Sequence, residues 1–289
     1  MTGRKAILVV SFGTSYNETR ERTIDRIESR IAEEHPGWDV RRAFTSKMII
    51  RKLEKRDGVK VDYVTDAMDR LITDGYRTVL VQPTHIMNGK EYDDVARIVH
   101  DYAPYFDEVS LGTPLLTSEE DYDMVVDAIA DSMSKEAEEL MGKGTAVVLM
   151  GHGTEHYANS AYSQLQMKLM MNGHGNVFVT TVEGFPGFDD TITMLKGFGF
   201  TKAVLFPFML VCGDHANNDM AGDDEDSLKS ALETVGIETR CVLKGLGEYD
   251  QFEELFLEHA KAAMGDFKTG PMKVGHALPG TAAAHDTLE

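Results

Sequence analysis

The stretch Ala6-Ile-Leu-Val-Val-Ser-Phe-Gly-Thr14 recurs in kind at Ala146-Val-Val-Leu-Met-Gly-His-Gly-Thr154. Each is a short apolar run that breaks into a turn of small residues, the pattern of a fully buried strand ended by a glycine loop. The pairing sets Phe12 opposite His152. A helical stretch follows in each half, the first with Ile24, Ile27 and Ile31 on one face. Second strands are expected at Asp39 to Phe44 and at Val177 to Val182. Third strands are expected at Thr78 to Pro83 and Ala203 to Pro207. These lead into the glycine loops Met87-Asn-Gly-Lys-Glu91 and Val211-Cys-Gly-Asp-His215, which set Glu91 opposite His215. Fourth strands recur at Val109 to Gly112 and Arg240 to Leu243.

Strands that alternate with helices imply parallel sheets covered on both faces. The expectation is therefore an α/β chain of two similar doubly wound domains, each with a four-stranded parallel sheet, related by internal duplication. Glycines and prolines recur in the same order as the apolar runs, which is more than two unrelated α/β halves would share. The expected division is an N-terminal domain over 1–116, a linking helix over 117–144, a C-terminal domain over 145–264 and a disordered tail over 265–289. The linking helix opens on the capping-box pattern Thr117-Ser-Glu-Glu120 and carries Tyr122, Val125, Ile129 and Met133 on one face.

A chain of 289 residues, 42% hydrophobic and 27% charged, can bury sizeable cores. Its two cysteines, Cys212 and Cys241, form no disulfide framework, and the apolar run at Ala6 to Val10 is too short for a signal peptide. A cytoplasmic protein is expected, with no membrane partner. The net charge of −19 argues against nucleic acid, whose phosphates need clustered Lys and Arg. That charge is uneven: residues 1–100 hold 18 basic against 16 acidic side chains, leaving −21 for the rest. An anionic ligand should therefore meet the first half, because at physiological salt charges act over only about 8 Å.

Sites in doubly wound folds form at the carboxyl ends of strands. Three residues of metal-ligand type fall there in the second half: His152 after the first strand, Glu183 after the second and His215 in the loop after the third. Two imidazoles and a carboxylate make an open divalent-metal site if they converge. A single loop histidine is more often surface than ligand; the shared placement is what singles these out. The Gly151-His-Gly-Thr154 turn lacks the lysine and spacing of a phosphate-binding Walker loop, and the chain has no Gly-x-Ser-x-Gly hydrolase elbow. Cys212 ends an apolar run and reads as a buried hydrophobe, and the acidic run Asp223 to Asp226 reads as a helix start.

Ser11-Phe-Gly-Thr14, Gln82-Pro-Thr-His85, Asn88-Gly-Lys-Glu-Tyr92, Gly151-His-Gly-Thr154, Val182-Glu-Gly184 and Gly213-Asp-His215 together resemble the anaerobic-pathway sirohydrochlorin cobaltochelatases. These are type II chelatases, which act without ATP, and the likeness runs from about Lys5 to Met264. It implies a chelatase-like two-domain α/β fold with a sirohydrochlorin-type tetrapyrrole in the cleft. It further implies His152 as general base and metal ligand, with Glu183 and His215 completing the metal set. Residues expected against the substrate are Phe12, Thr14, His85, Met87, Gly89, Lys90 and Glu91, with Arg20, Arg22, Lys47, Arg51 and Lys90 as candidates for its carboxylates. Co²⁺ is expected as substrate metal, with no tightly bound cofactor and no haem, which some exported members of the family carry. Two alternatives stay open: insertion of Fe²⁺ or Ni²⁺ into the same ring, and a two-lobed carrier without turnover.

Overall fold

The computed structural model of the protein describes residues 3–265 and Phe267. In the first half, β1 (Arg4–Ser11), α1 (Asn17–Arg22), α2 (Ile24–Glu34), β2 (Asp39–Phe44), α3 (Lys47–Asp57), β3 (Asp62–Tyr63), α4 (Val64–Thr73), β4 (Tyr76–Pro83), α5 (Lys90–Tyr102) and β5 (Glu108–Leu111) follow one another. Two helices, α6 (Glu119–Ile129) and α7 (Lys135–Met141), then lead to the second half through the π-turn Ala130–Ser134. There β6 (Ala146–Gly151), α8 (Ser160–Met171), β7 (Val177–Thr181), α9 (Phe188–Gly197), β8 (Lys202–Pro207), α10 (Leu228–Thr234), β9 (Glu238–Cys241) and α11 (Asp250–Gly265) complete the chain.

Both sheets are wholly parallel, in the orders β3-β2-β1-β4-β5 and β7-β6-β8-β9. The central strands β1 and β6 are buried along Ala6–Val10 and Ala146–Met150, as continuous apolar runs require when helices cover both faces. Removing β3 makes the two strand orders equivalent. The first sheet thus has five strands where four were expected. The addition pairs only Asp62 and Tyr63 with Ala43 and Phe44, and two residues are too few to carry a periodic signal.

Backbone hydrogen bonds repeat the duplication atom by atom. Ser46 N–H donates to Phe12 C=O as Glu183 N–H donates to His152 C=O, at 3.2 and 2.8 Å. Leu115 and Leu116 donate to His85 and Ile86 as Leu246 and Gly247 donate to Met209 and Leu210. Counting on from these pairs sets Gly89 with Gly213 and Glu91 with His215, the pairing read from the sequence.

The linking segment differs from expectation at its start. Ser118, not Thr117, is the N-cap, and it forms the capping box with Asp121, because Asp at the third helical position closes the reciprocal bond as well as Glu does. The helices that follow the two last strands are exchanged between halves. α6 packs on α8, and α7 on β8, of the second half, while α11 returns to lie against α2 and β4 of the first. The division at 145–264 follows chain order, whereas the packing of α11 does not. One apolar core accordingly runs through both halves, from Ile7 and Phe44 through Tyr122 to Leu149 and Phe252. Of the tail expected to be disordered, only Gly265, the end of α11, and Phe267, stacked on Trp38 at 5.6 Å, are described; the rest lies outside the described residues. No helix among the described residues is long and apolar enough to cross a membrane.

Candidate functional site

The turn after β6 is built to hold a side chain up at the sheet's carboxyl end. Gly153 adopts φ +81°, the left-handed region where a Cβ clashes with backbone, and a Cβ there would sit 2.8 Å from Gly184 N. The hydroxyl of Thr154 accepts from His156 N–H at 3.1 Å and closes the turn; Gly13, at φ +98°, and Thr14, which accepts from Tyr16 N–H at 3.2 Å, repeat the device. His152 stands on this turn, and its carbonyl takes the Glu183 N–H, so one backbone bond fixes the start of the Glu183 side chain beside it.

His152, Glu183 and His215 come together. The His152 and His215 rings meet edge to face with centroids 4.5 Å apart, and Glu183 Oε2 lies 3.9 Å from His152 Nδ1. All three side chains are partly open to solvent. The set is loose: among the described residues no group of three or more His, Cys, Asp or Glu closes to metal-holding distance. Both imidazoles have one nitrogen engaged. His152 Nδ1 is 2.8 Å from Gly153 C=O and His215 Nδ1 is 2.7 Å from the Asp219 carboxylate. These partners can only accept, so each Nδ1 carries the proton and each neutral ring offers its Nε2 lone pair. That lone pair is what a divalent ion or a proton needs.

The two halves meet across this site through related contacts. Tyr16, on the first half's turn, donates to Asp214, next to His215, at 2.5 Å. That bond raises the Tyr16 phenol above its ordinary pKa and keeps it a donor. Its counterpart His156 points Nε2 at Asp93 of α5, 3.6 Å away. Each turn therefore reaches the start of the helical segment that follows β4 or β8 in the other half. Phe12, Tyr16, Met48, Tyr157 and Phe185, all in loops or at helix starts at the carboxyl ends of the strands, leave large apolar surface exposed.

The other expected substrate residues divide. Phe12 is exposed, and Gly89 caps α5 with Glu91 exposed in its first turn. Met87 is half-buried, in a bridge with Leu116. Thr14 is buried, its hydroxyl used inside its own turn. Both His85 ring nitrogens are buried without a hydrogen-bond partner among the described residues, and burial lowers its pKa to about 4, so the ring is neutral near pH 7. Of the candidates for carboxylates, Arg20 pairs with Asp25, Arg22 with Glu248 and Lys90 with Asp94. Lys47 and Arg51 pair with no carboxylate among the described residues and line a 200 Å³ cavity with Ile50, Tyr63, Thr65 and Asp66. Cys212 is buried, and that burial pushes its thiol up to about 11, as suits a hydrophobe and not a soft ligand.

Tyr16, Asp214, His156, Asp93 and Asp219 were not singled out from the sequence. Asp219 had a signal, since it follows His215 by four residues, a spacing that brings side chains together on a helix.

Comparisons with known proteins match most of the chain. The profile of a family described as cobalt chelatase (CbiK) matches residues 5–265. The sirohydrochlorin cobaltochelatase of Salmonella typhimurium is 41% identical over 261 residues, covering 90% of this chain and 97% of that protein. The sirohydrochlorin cobaltochelatase CbiKC of Nitratidesulfovibrio vulgaris is 34% identical over 265 residues, covering 90% and 91%. Among solved structures, SirB from Bacillus subtilis with Fe³⁺ shares the fold at a TM-score of 0.62 and 13% identity, covering 92% of this chain and all of that one.

Proposed function

Because the chain belongs to the cobalt chelatase (CbiK) family, we propose that it inserts Co²⁺ into a sirohydrochlorin-type tetrapyrrole at the cleft between its two sheets. It is an ATP-independent metal chelatase. The reaction replaces two pyrrole N–H protons by one divalent ion, so the protein must offer a base and a weak metal site together.

The observation that carries the assignment of residues is the pair of imidazoles 4.5 Å apart, each with Nδ1 tied to an acceptor and Nε2 left open. His152, Glu183 and His215 hold the ion at one face of the ring; as the ion passes to the pyrrole nitrogens it frees the His152 Nε2 lone pair, which takes one pyrrole proton, and the second proton leaves to water. An imidazole's ordinary pKa of ~6.5 suits that exchange near neutral pH. The looseness of the trio suits it too, because a closed site would keep the ion rather than release it. Phe12 and the other exposed apolar side chains supply walls for the macrocycle. Lys47 and Arg51, which pair with no carboxylate among the described residues, meet its carboxylates, and Glu91, the first-half counterpart of His215, faces the ring from the other side.

No resident cofactor is required by this reading, and the cytoplasm is its setting. The test is to mix tetrapyrrole, Co²⁺ and a catalytic amount of protein, with no ATP, and follow the absorption spectrum. Conversion beyond one equivalent is expected; a stop at one equivalent would make the protein a carrier. Repeating it with Fe²⁺ and Ni²⁺ ranks the metals, which the ligand set by itself does not distinguish.

A further inference from the structure

His215 opens a short helical segment whose next turn, Ala216–Met220, is a π-turn: Ala221 N–H reaches back five residues to Ala216 C=O at 3.2 Å. Single π-turns inside helices are uncommon and recur at functional sites. Widening the turn brings side chains four apart more nearly one above the other, and here it sets the Asp219 carboxylate 2.7 Å from His215 Nδ1. Asp219 makes no other ion pair among the described residues.

We propose that Asp219 is a positioning residue for metal delivery: its carboxylate locks His215 in the Nδ1–H form and aims Nε2 at the incoming ion. The inference rests on His215 being a metal ligand. Free imidazole divides its proton between the two nitrogens, and any molecule with the proton on Nε2 has no lone pair for the metal there. A carboxylate on Nδ1 removes that population, fixes the ring plane and makes Nε2 more basic, and losing such a partner typically costs ~10–100-fold in metal affinity. His152 is locked by a backbone carbonyl that no substitution removes, so Asp219 is the side chain through which one imidazole of the pair can be unlocked separately.

The test has two readouts. In the metal-free protein, long-range ¹H–¹⁵N NMR of the His215 ring should show the Nδ1–H tautomer for wild type and a mixture for Asp219→Ala. Asp219→Asn, whose amide oxygen still accepts, should keep the wild-type pattern. In the insertion assay Asp219→Ala should raise KM for Co²⁺ by ~10–100-fold with kcat at saturating Co²⁺ within about 3-fold, and Asp219→Asn should recover most of the loss. Asp219→Ser, too short to reach Nδ1, is a second disrupting variant should the alanine protein not fold. An unchanged tautomer, or an unchanged KM for Co²⁺, in the disrupting variants overturns the proposal. So does an asparagine variant as impaired as alanine, which would make Asp219 a direct ligand. His215→Ala separates the premise: if it leaves KM for Co²⁺ unaltered, the ligand assignment itself fails, whatever Asp219 does.

Discussion

The proposed function gives His152 two jobs, metal ligand and base, and substitution should reflect it. His152→Ala is expected to retain less than a tenth of the insertion rate, a loss above ~1.4 kcal/mol in the barrier. Glu183→Ala and His215→Ala should mainly raise KM for Co²⁺. A steady-state comparison at limiting and saturating Co²⁺ checks the division; a His152→Ala protein with most of its rate would remove it from the proton step. Gly153 is the backbone reason His152 and Glu183 meet. Alanine there must occupy a left-handed conformation, costing roughly 1–2 kcal/mol, and its Cβ would press on Gly184 N and the Glu183 carbonyl carbon. Gly153→Ala should lower Tm and weaken use of Co²⁺ together, readable by thermal unfolding and by KM. At this scale the neighbourhood of the three residues is legible in the sequence, since all of them lie just past strand ends that apolar runs mark. The burial of the Thr14 hydroxyl and of the His85 ring nitrogens is not legible there, because whether a loop side chain faces the cleft or folds inward depends on packing that no local pattern records.

Among the elements, α11 closes the molecule by returning to the first half, and one buried pair anchors it. His259 Nε2 is 3.0 Å from Asp121 Oδ1 on α6, while its Nδ1 is 3.2 Å from Thr113 C=O. The Asp121 carboxylate and the Thr113 carbonyl are both acceptors that face the ring. Burial by itself would raise the Asp121 carboxyl; bonds from His259 and Ser118 outweigh it and hold its pKa below the ordinary range. A carboxyl depressed in the folded state adds stability that is complete above the unfolded value of ~3.9 and is lost as pH falls through the lower folded value. Asp121→Asn should therefore cost on the order of 1.5–3 kcal/mol near neutral pH, with the gap from wild type closing as pH drops below about 4. Urea unfolding of both proteins at several pH values measures it; a gap that does not change with pH would mean the pair contributes only packing. Neither end of this pair was legible in sequence, because 138 residues separate them and only the exchange of helices between halves brings them together.

For the whole molecule, the proposed function turns the charge division between halves into a division of labour. The second half holds the trio, while α3 of the first half carries Lys47 and Arg51 beside a cavity that also contains Asp66. Lys47→Glu and Arg51→Glu should each raise KM for the tetrapyrrole several-fold and leave KM for Co²⁺ near wild type. Rising salt should raise the tetrapyrrole KM of wild type more than that of the double variant, since it screens an attraction the variant lacks. Equal salt dependence in both proteins would show that these two cations do not guide the substrate. The sequence by itself determined the parallel α/β class, the duplication and the strand-end residues, because strands and glycine turns are local and each half repeats them in order. Only the tertiary structure decided the two-residue fifth strand, the exchange of α6, α7 and α11, which cations pair with a carboxylate among the described residues, and the tautomers of His152 and His215. The strand, the exchange and the cations depend on which distant residues meet, and the tautomers on which way each ring turns toward Gly153 or Asp219, and apolar periodicity records neither.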